Sequence, residues 1–162
     1  LILSMGGDVA LALRSQAAFR VGLVLFLLGH VAYTAAFVAT WGPGAWALGF
    51  ALAAVAGGAV VFHLLQPHLG SMRTPVLAYI VVISLMLVAA AGVLDHSYGL
   101  IVRRLVLLGA LFFYLSDLFV ARHRFVREAF TNRLVGLPLY YTGQFMLAVS
   151  IGVVTPLSGQ PF

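Results

Sequence analysis

Two of the four acidic residues in this chain stand inside apolar runs. Asp8 lies in Ser4-Met5-Gly6-Gly7-Asp8-Val9-Ala10-Leu11, and Asp117 in Tyr114-Leu115-Ser116-Asp117-Leu118. A carboxylate inside a membrane helix costs about 2.5–3.5 kcal/mol on insertion scales, so it is rarely carried without a partner or a function. One kind of chemistry needs two such groups. A protonated carboxyl gives a proton to a substrate, and an ionised one takes a proton or stabilises a developing cation. Two close carboxylates do not both ionise cheaply, so one pair supplies both forms. Other polar residues sit in the same kind of sequence. His30 and Tyr33 share a face at i, i+3, Tyr140 and Gln144 at i, i+4, and Tyr79 lies about a turn into its own apolar run. Blander readings exist for each. The acids pair with neighbouring arginines by snorkelling, His30 is a neutral core histidine, and Tyr79 is an interfacial anchor.

The elements that must position these groups are apolar helices. The chain is 63% hydrophobic and 8% charged, against about a quarter charged in soluble domains. That leaves too little polar surface to cover a water-soluble globule, so lipid is the solvent for most of it. Six apolar segments can be read: one ending at Leu13, then Ala18–Thr40, Ala45–Leu65, Pro75–Leu94, one centred on Leu105–Ala121, and one on Leu134–Val154. Gly42-Pro43-Gly44, Pro67 with Gly70, and Asp95-His96-Ser97 punctuate them. Pro138 predicts a kink or a shifted start in the last segment. A β-barrel would need short runs of alternating polarity, which are absent. The expected fold is all-α: a polytopic transmembrane bundle, read as one domain over residues 1–162. Small residues at Ala53, Ala54, Gly57 and Gly58 suit close helix approach. The first segment lacks an initiator Met and is shorter than the roughly 20 residues of a span, so upstream sequence is expected.

All nine basic residues are arginines. Arg14, Arg20, Arg73, Arg122, Arg124, Arg127 and Arg133 fall in loops on one side of the bundle, and only Arg103 and Arg104 on the other. The positive-inside rule turns the richer side to the cytoplasm. The net charge of +5 is therefore read as helix anchoring, and nucleic acid is excluded as a partner. Asp8 precedes Arg14 by six residues and Asp117 precedes Arg122 by five. At the helical rise each acid lies roughly 8–9 Å inside the same boundary, so the two can share one cavity. Glu128, four residues after Arg124, reads as part of a solvated loop or short amphipathic helix.

No metal site or cofactor is expected. The chain has no cysteine, and His63 and His68 flank Pro67 with no acidic third ligand nearby. A nucleophile elbow and a phosphate-cradling loop are both missing. Ser116 and Asp117 are adjacent on a helix and do not face each other, which argues against a Ser–Asp nucleophile pair. An internal echo is visible. Asp8 opens Asp-x-x-Leu-Ala and Asp117 opens Asp-x-x-Val-Ala, and an arginine loop and a helix with polar residues follow each. This suggests a duplicated helix pair around a central site.

An ordered set of stretches resembles a known family, the YhhN-type membrane proteins that include the lysoplasmalogenases. The set comprises Ser4–Leu11, Phe26–Tyr33, Pro75–Tyr79 with Met86, Gly109–Phe112 running into Ser116-Asp117, Arg124-Phe125, and Tyr140-Tyr141-Thr142-Gly143-Gln144. The resemblance implies an eight-helix bundle of which these six segments are the last six, with two upstream helices and a family Lys-Pro motif before them. His63 stands where relatives carry an aromatic residue. It also implies an ether hydrolase that cleaves the vinyl ether of a lysophospholipid to a fatty aldehyde and glycerophosphoethanolamine or glycerophosphocholine. The setting would be a bacterial inner (cell) membrane, with the site toward the cytoplasmic leaflet.

On that reading Asp8 and Asp117 are the catalytic pair, in either order. His30, Tyr33, Tyr140 and Gln144 orient water or the glycerol hydroxyl, with Tyr79 and Ser116 beside them. Arg122 or Arg124 holds the phosphate. The partners are the lysophospholipid and membrane lipids; the oligomeric state is left open. The alternative is a small proton-coupled transporter or lipid-binding membrane protein, since paired intramembrane carboxylates also serve transport.

Overall fold

The structure, a computed structural model, describes residues 1–13, 15–42 and 44–157, with side chains to 153. Arg14 and Pro43, used above for orientation and as turn chemistry, lie outside the described residues, as does the tail after 157. Six α-helices follow in order: α1 (Ile2–Ala12), α2 (Gln16–Trp41), α3 (Ala47–Leu69), α4 (Arg73–Ala90), α5 (Leu100–Ala121) and α6 (Phe130–Leu157). Short 3-10 turns at Gly70–Met72 and Ala91–Asp95 and a π-turn at Arg122–Val126 join or extend them. No strand occurs among the described residues.

Local chemistry sets several boundaries. Ser15 caps α2, its Oγ accepting from the Ala18 amide at 3.0 Å. Gly42, at φ +69, ends that helix. Gly70, at φ +50, lets the chain turn back so that α4 packs on α3. Two boundaries differ from the pattern. Pro67 lies within α3, whose last turn carries on to Leu69, and Pro138 lies within α6, which starts eight residues upstream of it. In an apolar bundle a lost amide donor is tolerated when neighbouring helices enclose the backbone.

Four helical stretches are long and apolar enough to span a membrane: Gln16–Trp41, Ala47–Asp95, Leu100–Val126 and Phe130–Val153. The second contains both α3 and α4. Leu48, Leu52 and Val55 on α3 are 65–70% exposed, and Leu100 and Ile101 on α5 are 62% and 70% exposed. Such outward apolar faces are stable when hydrocarbon covers them. The protein is an integral membrane helix bundle.

The core lies where α2, α4, α5 and α6 meet, around Phe113, Met86, Val106, Ala110 and Leu147. The tightest seam joins α5 to α6. A Cβ on Gly143 would lie 2.9 Å from the Gly109 carbonyl oxygen and from the Phe113 amide nitrogen, so only glycine lets these backbones approach so closely. The small residues singled out on α3 play a lesser part. Ala54 and Gly58 are buried, Gly58 against Ile80, whereas Ala53 and Gly57 are exposed.

Candidate active site

A cavity of about 140 Å³ opens among the helix ends that bear the arginine-rich loops. Its wall takes Leu11 and Phe19 from either side of the first such loop, Leu65 and Val76 from either side of the second, and Phe125 and Arg133 from the third. The three loops therefore gather at one end of the bundle. Asp8 and Asp117 both line this cavity, from α1 and α5. Most of the rest is apolar, which keeps the local dielectric low and strengthens each polar contact.

Each acid has one principal partner, and each partner comes from the other hairpin. Tyr140 on α6 donates its hydroxyl to Asp8 Oδ2 at 2.9 Å. The Tyr140 ring is held edge-on by Phe26 and Phe113, with centroids 5.8 and 5.4 Å away. Asp117 Oδ2 lies 3.2 Å from Nε2 of His30 on α2, whose side chain is 0% exposed against 10% for Asp117. Both atoms are buried, and neither makes a hydrogen bond among the described residues. His30 Nδ1 lies 2.7 Å from the carbonyl oxygen of Phe26, one turn back on its own helix. A carbonyl only accepts, so Nδ1 carries a hydrogen. Phe113, at 4.3 Å between ring centres, and Tyr79, at 5.5 Å, enclose the imidazole. The Tyr79 phenol is a further neighbour of the Asp117 carboxyl, within hydrogen-bonding reach of it.

A second polar thread runs behind Asp8. Tyr33 donates to Gln144 Oε1 at 3.0 Å, and Gln144 Nε2 donates to Ser4 Oγ at 2.8 Å. It ties α2, α6 and α1 together one turn from Asp8. Ser4, Asp8, Tyr140 and Gln144 also line a second, shallower hollow of about 300 Å³.

The remaining site residues divide by position. Tyr79, Ser116 and Tyr140 line the first cavity, and His30 and Tyr33 line neither hollow. Ser116 Oγ donates to the Phe113 carbonyl at 2.7 Å, which occupies its hydrogen. Arg122 and Arg124 do not line the cavity. Arg122 donates to Asn132 Oδ1 at 3.0 Å, and Arg124 donates to Gln16 Oε1 at 2.6 Å while lying 4.3 Å over the Phe19 ring. Asn132, only 2% exposed, in turn donates to the Arg127 carbonyl at 2.8 Å and so braces the third loop. Glu128 is 90% exposed in that loop.

Three participants escaped the sequence reading. Ser4 carried a signal, since it lies four residues before Asp8 on the same face. Asn132 carried none. Arg133 entered the sequence reading for orientation alone, yet among the described residues it is the single cationic one lining the cavity, and its guanidinium makes no hydrogen bond or ion pair with them. No group of three metal-ligating side chains occurs among the described residues.

Fold and site together define a class: a polytopic membrane protein with two acids in one cavity at the arginine-rich end of its bundle. The YhhN family model matches residues 1–151, and the chain belongs to that family. It is 32% identical over 156 residues to lysoplasmalogenase TMEM86A of Homo sapiens, a match that takes in 93% of this chain and 62% of the human protein. The chain thus spans less than two thirds of that relative's length. No solved structure matches it.

Proposed function

We propose that this protein hydrolyses the vinyl ether bond of lysoplasmalogens, releasing a fatty aldehyde and a glycerophospho head group at the cytoplasmic leaflet. The observation that carries the reading is the presence of Asp8 and Asp117, from opposite ends of the chain, in one cavity. The similarity to a protein named lysoplasmalogenase supports the substrate class.

The chemistry asks for two such groups. A vinyl ether reacts when a proton is added to its β-carbon, leaving an oxocarbenium ion at the α-carbon. Water adds there as its own proton is removed. The hemiacetal then breaks its bond to the glycerol oxygen, which takes up a proton while the hemiacetal hydroxyl loses one. One carboxyl gives the first proton, and its carboxylate then lies beside the cation. The other takes the proton from water.

Arg133 is placed to hold the phosphate. It and Tyr140 are seven residues apart on α6, about 10 Å along one helical face. The chain of about seven bonds from phosphorus to the vinyl β-carbon spans roughly 8 Å at ordinary single-bond lengths. A phosphate on the guanidinium therefore sets the vinyl ether near Asp8, with the alkenyl tail toward Leu65, Ile80 and Phe125.

The test is aldehyde release by the purified full-length protein in detergent from an alkenyl lysophospholipid, with the saturated ether as control. Aldehyde from the alkenyl lipid alone is expected. Proton-linked flux in liposomes with no bond cleavage would replace this reading by the transport one.

A further inference from the structure

We propose that His30, which lines neither hollow, decides how the two acids divide the chemistry, making Asp117 the base and leaving Asp8 as the proton donor. This rests on the hydrolytic reading of the cavity.

The argument counts protons. The Phe26 carbonyl fixes a hydrogen on His30 Nδ1. If the ring is neutral, Nε2 then holds a lone pair, and Asp117 Oδ2 lies 3.2 Å away with both atoms buried. Two bare acceptors would repel at that distance. The pair must hold one proton, on Nε2 beside a carboxylate or on Oδ2 beside a neutral imidazole. In both arrangements the pair carries no net charge, which is the inexpensive state for buried groups. Oδ2 is sealed from solvent. The pair's proton thus stays on the His30 side, and because Asp117 lines the cavity, Oδ1, beside the Tyr79 phenol, is the oxygen left for a ligand there. That oxygen is an acceptor.

Asp8 is differently placed. Its partner is a phenol that donates to Oδ2, and such a bond survives whether or not Oδ1 carries a proton. Asp8 can thus face the cavity as a neutral acid. The cycle then closes. Asp8 gives its proton to the β-carbon and, as a carboxylate, sits beside the oxocarbenium ion. Water adds to the α-carbon, and Asp117 Oδ1 takes its proton as the shared proton settles on His30. The positive His30–Asp117 pair now balances the negative Asp8. As the hemiacetal breaks, Asp117 gives its proton to the glycerol oxygen and the hemiacetal hydroxyl returns one to Asp8. His30 acts only through Asp117 and is a positioning residue. The groups facing the pair from other helices are Tyr79 on α4, Tyr140 on α6 through Phe113, and Asp8 across the cavity.

The experiment has a structural arm and a kinetic arm on the full-length protein. Nitrogen NMR of histidine-labelled protein, with His30 assigned by its loss in His30→Gln, should show Nδ1 protonated and a signal that shifts in Asp117→Asn. A neutral His30 ring bare at Nδ1 would overturn the inference, whatever the substrate. Kinetically, His30→Gln keeps a donor toward Asp117 but cannot take up the relayed proton. Its kcat should fall about 100-fold with KM within about threefold, and the limb of the kcat–pH profile belonging to the pair should disappear. Azide, which adds to the cation without needing a base, should speed vinyl ether consumption by Asp117→Asn at least roughly tenfold and do nothing for Asp8→Asn. An unchanged profile in His30→Gln, or azide rescue of Asp8→Asn instead, would overturn the assignment while aldehyde release by the wild type left the hydrolytic reading standing. A wild type that releases no aldehyde would remove the hydrolytic reading and with it the assignment of roles.

Discussion

On the α1 side of the cavity a carboxyl accepts from a phenol; on the α5 side its counterpart faces an imidazole. The two acids open similar stretches of sequence, and each is followed by an arginine loop and a polar helix. Neither uses the polar residue of its own hairpin. Asp8 reaches Tyr140 of the α5–α6 hairpin, and Asp117 reaches His30 of the α1–α2 hairpin. Two similar stretches thus take unequal partners, each from the opposite hairpin. A phenol can steady a carboxyl group but does not readily take its proton, whereas an imidazole can do both. In the proposed mechanism, equal acids become different reagents because their neighbours differ.

The strongest way to break this comparison is to remove one acid at a time. Asp8→Asn should lower kcat for aldehyde release by about 10³–10⁴-fold while the protein still elutes as folded material from size exclusion. Near-normal turnover there would end the two-acid account. Gly143→Ala tests the seam on which Tyr140 and Gln144 depend. Its methyl would meet backbone atoms at 2.9 Å, and a loss of about 1–3 kcal/mol in denaturant titration is expected. Gly57→Ala, with nothing nearer than the Tyr114 hydroxyl at 3.9 Å, should be close to neutral in the same titration.

Smaller changes sharpen the contrast. Arg133→Gln should raise KM about tenfold with little change in kcat, because a charge-assisted contact to phosphate is made before and during reaction alike. A fall in kcat alone would place Arg133 elsewhere in the cycle. Tyr140→Phe keeps the edge-on packing and removes only the hydroxyl that steadies Asp8, for a loss of about 1 kcal/mol, or roughly fivefold in kcat. Tyr33→Phe cuts the thread to Gln144 outside the cavity and should cost about 0.6 kcal/mol of stability, read as a lower melting temperature with unchanged KM.

Much of this was legible in the chain. Composition and continuous apolar runs dictate a membrane helix bundle, because the other fold that satisfies its backbone in lipid, a barrel, needs short alternating runs that the chain lacks. The spacing of each acid from its arginine pointed to one shared cavity, since helical rise is fixed, and both acids do line one cavity. The order of polar residues along α2 and α6 singled out His30, Tyr33, Tyr140 and Gln144, and all four make hydrogen-bonding or charged contacts across helices or lie within them.

The pairing of those residues could not be read, because periodicity tells which face of a helix a side chain shares but not which helix that face meets. Only tertiary packing sent His30 behind Asp117 and Tyr140 onto Asp8, and only packing left Arg133 in the cavity wall while Arg122 was taken by Asn132. Sequence along a helix encodes depth and direction through a local geometry that never varies. Partnership depends on how close two backbones come, and here that was decided by glycines such as Gly109 and Gly143, far in the chain from the carboxylate Asp8 whose surroundings they fix.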